Sequence, residues 1–183
     1  MSKKYKRALI VIVLCALFVI ILLDFPTGKN EAYVKQWYQK TIVFPDSMTF
    51  YHWGKEPVDY DFSDAQYKVL VLLDSVSCIS CQLRLDDWQR FIADIDSLTE
   101  TKFSFVFVMK PVSKHELYTT LRIENFEIPV CVDDRKIRQI NDIPNDGSHV
   151  FLLNHSNEII CIGNPIVHRT IRDLYLEILK KKQ

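Results

Sequence analysis

Residues 67–88 read YKVLVLLDSVSCISCQLRLDDW, and their reading decides the fold. Lys68 to Asp74 (KVLVLLD) is a continuous apolar run closing on an acid, as expected of a strand buried on both faces. Cys81 to Ile95 then places Leu83, Leu85, Trp88, Phe91, Ile92 and Ile95 on one stripe of a helix. Between the two lies Cys78-Ile79-Ser80-Cys81. A dithiol with that spacing, where a buried strand gives way to a helix, sits at the positive end of the helix dipole. Free N–H groups there stabilise a thiolate. Cys78, the outer of the pair, is expected to be the nucleophile with a depressed pKa. Cys81, one turn further in, is placed to attack the mixed disulfide and release the partner.

Outward from this unit the pattern stays regular. Phe103 to Met109 (FSFVFVM) is a second buried strand. Ser113 to Glu124 is a helix opened by a capping box, with Ser113 three residues ahead of Glu116. Ile128 to Val132 reads as a strand and Asp133 to Asn141 as a short helix. His149 to Asn154 and Glu158 to Ile162 form a hairpin around Asn154-His155-Ser156-Asn157. Thr170 to Lys181 closes the chain as an amphipathic helix with Ile171, Leu174, Tyr175 and Ile178 on one face. The order β-α-β-α-β-α-β-β-α predicts a three-layer α/β/α sandwich, with parallel first strands and an antiparallel hairpin at one edge. Thr41 to Phe62, carrying Pro45, Gly54 and Pro57, reads as short extended pieces and turns.

The N-terminus carries a different signal. Ala8 to Leu23 (ALIVIVLCALFVIILL) is sixteen apolar residues without a charge, preceded by KKYKR. As a helix it would rise about 24 Å. Snorkelling by Lys6 and Arg7 and local thinning would match this to a hydrocarbon core of about 30 Å. The exit Leu22-Leu23-Asp24-Phe25-Pro26 lacks the small residues a signal peptidase needs, so an uncleaved anchor is expected. The basic flank belongs inside, which puts the rest of the chain outside. Cys15 is a small apolar residue of the span. Asn30 to Lys40 sets Tyr33, Trp37 and Lys40 on one face of a short helix, suited either to the membrane interface or to packing on the α/β domain. The expected division is a basic tip at 1–7, a transmembrane anchor at 8–23, a juxtamembrane segment with a short helix at 24–48, and an α/β domain at 49–183.

Composition excludes several classes. With 48% hydrophobic and 25% charged residues among 183, the chain is not largely disordered. Net charge is zero, yet Lys3, Lys4, Lys6 and Arg7 account for four of the basic residues. Without them 19 basic residues face 23 acidic ones, the wrong sign for a nucleic-acid partner. Only four glycines occur, against a Gly-rich phosphate loop. A zinc site would need two ligands beyond Cys78 and Cys81. Cys131 and Cys161 are single residues on separate predicted strands, and the five histidines show no ligand spacing. Both cysteines read as inert core residues, and no metal or cofactor is expected.

The strand, the CISC motif, the helix and the closing stretch (IPVCVDDRKIRQIN continuing to HVFLLNHSNEIICIGNP) together resemble the thioredoxin-like superfamily. They are most similar to its membrane-anchored TlpA/ResA-type envelope proteins. The resemblance spans about Thr49 to Lys182. It implies a thioredoxin-like domain in which Cys78 and Cys81 are the nucleophilic and resolving thiols of a thiol–disulfide oxidoreductase. By the same resemblance the protein would be held single-pass in the bacterial inner membrane, N-terminus in, facing the periplasm. Its partners would be thiol- or disulfide-bearing envelope proteins. The sequence departs from that class at several points. Ser77 stands before the first Cys in place of an aromatic, and Ile79-Ser80 stands between the pair. Leu72 occupies the position of the buried acid, and Ser148 that of the cis-Pro ahead of the hairpin, with Pro144 four residues earlier. Two of these departures, Leu72 and Ser148, motivate an alternative: a thioredoxin-fold binding module of the envelope that keeps a Cys78–Cys81 disulfide without turnover. Ser75-Val76-Ser77-Cys78 also allows a thiol peroxidase, though the upstream Pro of such sites is missing. Copper delivery lacks the Met-rich tract or His that would support it.

Overall fold

The computed structural model describes residues 27–46, 48–73, 83–98, 100, 102–111, 113–132, 135–145 and 147–180. The expected tip, the anchor at 8–23, Cys78 and Cys81 lie outside them. Among the described residues no helix is long and apolar enough to cross a membrane. The chain forms two compact units, one up to Trp37 and one from Tyr38 onward. Of the first, helix α1 (Thr27–Trp37) is described, with Tyr33 and Trp37 rings 6.3 Å apart and Glu31 bridging Lys35 one turn on. It stops short of the expected Lys40. Gln39 turns at φ 65° and donates its N–H to the Ile159 carbonyl, while Ile159 N–H returns to Lys40.

The second unit holds strands β1 (Phe50–His52), β2 (Glu56–Val58) and β3 (Tyr67–Leu73), helix α2 (Leu85–Leu98), β4 (Phe103–Met109), α3 (Lys114–Ile123) and β5 (Val130–Cys131). After these come α4 (Arg135–Ile140), β6 (His149–Asn154), β7 (Ile159–Ile162) and α5 (Arg169–Lys180). All seven strands join one sheet in the order β2-β1-β5-β4-β3-β6-β7. β3, β4 and β5 are parallel, and β6 and β7 run antiparallel beside β3. The hairpin β1–β2, read in the sequence only as extended pieces, adds antiparallel strands at the opposite edge.

Strand alternation divides the core. Val69, Val71 and Leu73 of β3 join Phe105, Phe107 and Met109 of β4. They pack with Leu85, Trp88, Phe91 and Ile95 of α2, Leu117 and Leu121 of α3, and Tyr175 and Leu179 of α5. The intervening Leu70, Leu72, Val106, Val108, Phe151 and Leu153, equally buried, point to the other face. Ile137 of α4 lies there, lining a small cavity with Cys131, Pro45 and Met48. Helices thus cover both faces, and the expected α/β/α layering is observed. The Ser113 half of the capping box is observed, Glu116 N–H donating to Ser113 Oγ at 3.2 Å.

β5 is shorter than its apolar run because β4 pairs it only through Phe107 and Val108, and β1 only through Phe50 and Tyr51. The dithiol helix also differs from a single span. Leu83 is helical, Arg84 leaves helical space at φ 46°, and the helix is uninterrupted only from Leu85.

Candidate functional site

Leu73 ends β3, and Leu83 is the next described residue. The connection carrying Cys78 and Cys81 therefore leaves the sheet at the carboxyl edge of its central parallel strands. Met109 lies level with Leu73 on one side. On the other, His149 stands opposite Leu72 in antiparallel register, so Ser148 falls beside Leu73 by continuation.

The far boundary of the connection is anchored by α2. Leu83 and Leu85 enter the core, and the Trp88 ring meets Phe107 edge-on at 5.3 Å. The turn that opens α2 is tied by charge: Arg84 and Arg90 both bond the Asp87 carboxylate at 2.5 Å. Arg90 first, then Arg84, holds the Asp87 carboxyl below the usual carboxylate range. Asp86 and Asp87 in this first turn complement the helix dipole.

The segment ahead of β6 is set by Arg138. This side chain is buried on α4 and donates to the carbonyls of Pro144 and Gly147, at 2.5 and 3.2 Å. Ile143 N–H closes onto the Arg138 carbonyl at 2.9 Å. Asn141 bonds both the N–H and the carbonyl of Val43, each at 2.8 Å. Ser148 is left exposed. Sequence reasoning placed Ser148 by counting from Phe151 but missed Arg138, whose charge reads as surface on a short amphipathic helix. It also passed over His149 as a neighbour of Leu72. His149 is buried, with its ring stacked on Phe151 at 6.2 Å. The pairing register, available only once β6 is laid beside β3, is the signal for it.

Cys131 and Cys161 are buried. They lie on β5 and β7, four strands apart, which at about 4.8 Å per spacing separates them by about 19 Å. They cannot complete one tetrahedral site. Among the described residues no cluster of His, Cys, Asp and Glu could hold a metal ion. Burial, only partly offset by the Ile162 N–H, pushes the Cys161 thiol up to about 11. Burial likewise raises the Tyr175 phenol, with Cys161 adding to the shift. An iodoacetamide time course at pH 8 on the folded chain, read by peptide mapping, is expected to leave Cys131 and Cys161 unmodified. Labelling of either at the rate of a free thiol would contradict their core placement.

No protein-family profile matches the chain, and no curated protein sequence matches it. Solved structures do. The thioredoxin domain of a thiol-disulfide oxidoreductase from Bacteroides vulgatus superposes with a TM-score of 0.52 at 11% identity, covering 74% of this chain and 97% of that one. A thiol:disulfide interchange protein of the thioredoxin family from Chlorobium tepidum gives 0.53 at 12%, covering 76% and 97%. A thiol:disulfide interchange protein from a Bacteroides species gives 0.52 at 9%, covering 73% and 89%. At these identities the likeness is one of fold. The chain has a mixed α/β, thioredoxin-like fold.

Proposed function

We propose that the protein is a membrane-anchored, extracytoplasmic thiol–disulfide oxidoreductase acting through Cys78 and Cys81. The observation that carries this reading is positional: the CISC segment joins the carboxyl end of central strand β3 to α2 in a thioredoxin-like sheet. The apolar stretch 8–23 behind a basic tip supports the anchor and, by the positive-inside rule, the periplasmic side of an inner membrane. Envelope proteins bearing thiols or disulfides are the partners.

In the reducing direction, the Cys78 thiolate attacks one sulfur of a partner disulfide. The partner S–S bond breaks, and its second sulfur leaves with the electron pair and takes a proton. Cys81, deprotonated, then attacks the Cys78 sulfur of the mixed disulfide and expels the partner's first sulfur as thiolate, which takes up the proton that Cys81 gave up. The partner gains two electrons and two protons, and a Cys78–Cys81 disulfide remains. The oxidising direction is the same sequence reversed.

Leu72 and Ser148 favour a second reading, a binding module holding a static Cys78–Cys81 disulfide. Two measurements on the same preparation separate the readings. For the oxidoreductase, alkylation of reduced Cys78 is expected to follow a pH profile with its midpoint below the ordinary thiol value of about 8.5. The reduction potential is then expected within the range of exchanging dithiols, about −120 to −270 mV. A midpoint at or above the ordinary value, with a potential below about −300 mV, would leave the static disulfide standing.

A further inference from the structure

The main body is mildly acidic in sum, yet the charged side chains among the described residues that line one groove beside the carboxyl edge are basic. It is a cavity of about 490 Å³ between α3 and the β1–β2 hairpin, lined by Tyr51, Gly54, Lys55, Lys114, His115, Tyr118 and Val132. Among the described residues no carboxylate lines it. Among the described residues, neither Lys55, Lys114 nor His115 is paired with an acid. The volume falls within the range of ligand clefts, about 300–1,000 Å³.

The groove is organised as well as charged. Lys114, Tyr118 and Arg122 recur at four-residue spacing along α3 and so share one face. The Lys55 ammonium sits 4.7 Å above the Tyr118 ring. Arg122 donates to the Tyr118 hydroxyl at 2.8 Å, and its guanidinium lies 5.9 Å from the Tyr118 and Trp53 rings. Tyr118 is thus held as one wall, with Lys55 poised over it. Tyr51 shares the α3 face with Val130, its pairing partner, and forms the other wall. The first turn of α3 supplies Lys114 and His115 beside the dipole's positive end.

Position points to the occupant. Cys131 pairs with Val108 and Leu72 with Val108 in turn, so Val132 lies level with Leu73, where the chain departs for the dithiol. Two strand spacings, about 10 Å, separate them across the sheet. About three extended residues, at about 3.3 Å each, would span that distance, which makes a partner polypeptide engaged through the dithiol the occupant to test.

We propose that the groove is a docking site for an acidic segment of the partner polypeptide, flanking the cysteines that exchange with the dithiol. Carboxylates would pair with Lys55, Lys114 and His115, and the neighbouring apolar or aromatic side chain would lie against Tyr51 and Tyr118. The inference rests on the oxidoreductase reading for its partner, and its test has a binding arm that does not.

Two cyclic disulfide peptides, identical except for four Glu or four Lys flanking the ring, serve as probes of the full-length chain. Fluorescence anisotropy on Cys78→Ser protein reads docking without exchange, and wild-type turnover reads kcat/KM. The Glu peptide is expected to bind about tenfold more tightly at low ionic strength. The advantage should collapse as the Debye length falls to about 3 Å in 1 M salt. It should vanish in Lys55→Glu/Lys114→Glu, whose exposed positions leave the fold unchanged by circular dichroism. The expected gain in turnover is confined to KM. Equal binding of the two peptides would overturn the proposal, as would a Glu preference that survives the double substitution. Citrate competing as strongly as the Glu peptide would assign the groove to small anions and also overturn it. Absence of turnover with both peptides would sink the oxidoreductase reading alone, since binding is scored separately.

Discussion

Cys78→Ser is expected to reduce insulin-disulfide reduction to the uncatalysed background. Cys81→Ala is expected to stop after one half-reaction, with the partner left bound covalently to Cys78. The asymmetry follows from the chemistry. A serine hydroxyl at position 78 is not ionised near neutral pH, so neither the dipole at the start of a helix nor its free N–H groups can make it a competent nucleophile. Removing Cys81 spares the first attack but deletes the group that expels the partner, so a mixed disulfide accumulates. The readouts are turbidity of reduced insulin for the first variant and a gel shift, reversed by dithiothreitol, for the second. An undiminished rate in Cys78→Ser would end the redox assignment. A Cys81→Ala protein that turns over freely would instead give the resolving role to a thiol supplied in solution or by the partner.

Phe91→Ala should produce a large loss of stability. Phe91 is fully buried at the centre of the layer formed by α2, α3 and α5. Its ring meets Trp88 at 6.2 Å, Phe105 at 6.3 Å and Tyr175 at 6.0 Å, and the Arg172 guanidinium covers it at 5.6 Å. These neighbours come from α2, β4 and α5, so no single element can move to fill the cavity. A cost of about 3–5 kcal/mol is expected for a phenylalanine truncated at such a site, out of the roughly 5–15 kcal/mol of a whole domain. With about 2–4 °C per kcal/mol at this size, the thermal midpoint should fall by about 6–20 °C. Leu174→Ala, on the half-exposed side of α5, is the control, expected within about 0.5 kcal/mol of wild type. A midpoint for Phe91→Ala within a degree or two of wild type would mean that this layer is not packed as described. Because α2 follows the dithiol connection directly, the same substitution should also slow exchange by loosening the helix against β4.

Much of the architecture was legible along the chain. β3 and β6 were readable to within a residue because strands buried on both faces carry apolar side chains almost without interruption, bounded here by polar or turn residues. The Ser113 N-cap was readable because it is made within four residues. Short β1, β2 and β5 were not readable with their bounds, since their ends are set by how far a neighbouring strand runs. The Trp53-Gly54 turn at φ 51° and 72° shows its meaning only once β1 and β2 pair.

From sequence alone, the order of strands and helices, the apolar N-terminal stretch and the placement of CISC between a buried strand and a helix were determined. These are carried by local periodicity and spacing. Tertiary structure alone decided that Arg138 is buried as a tie on the segment before β6, that His149 lies opposite Leu72, and that Lys55, Lys114 and Tyr118 border one groove. Each of those depends on residues far apart in the chain meeting in a particular register. Periodicity reports which side of an element is buried, and says nothing of which distant element will bury it.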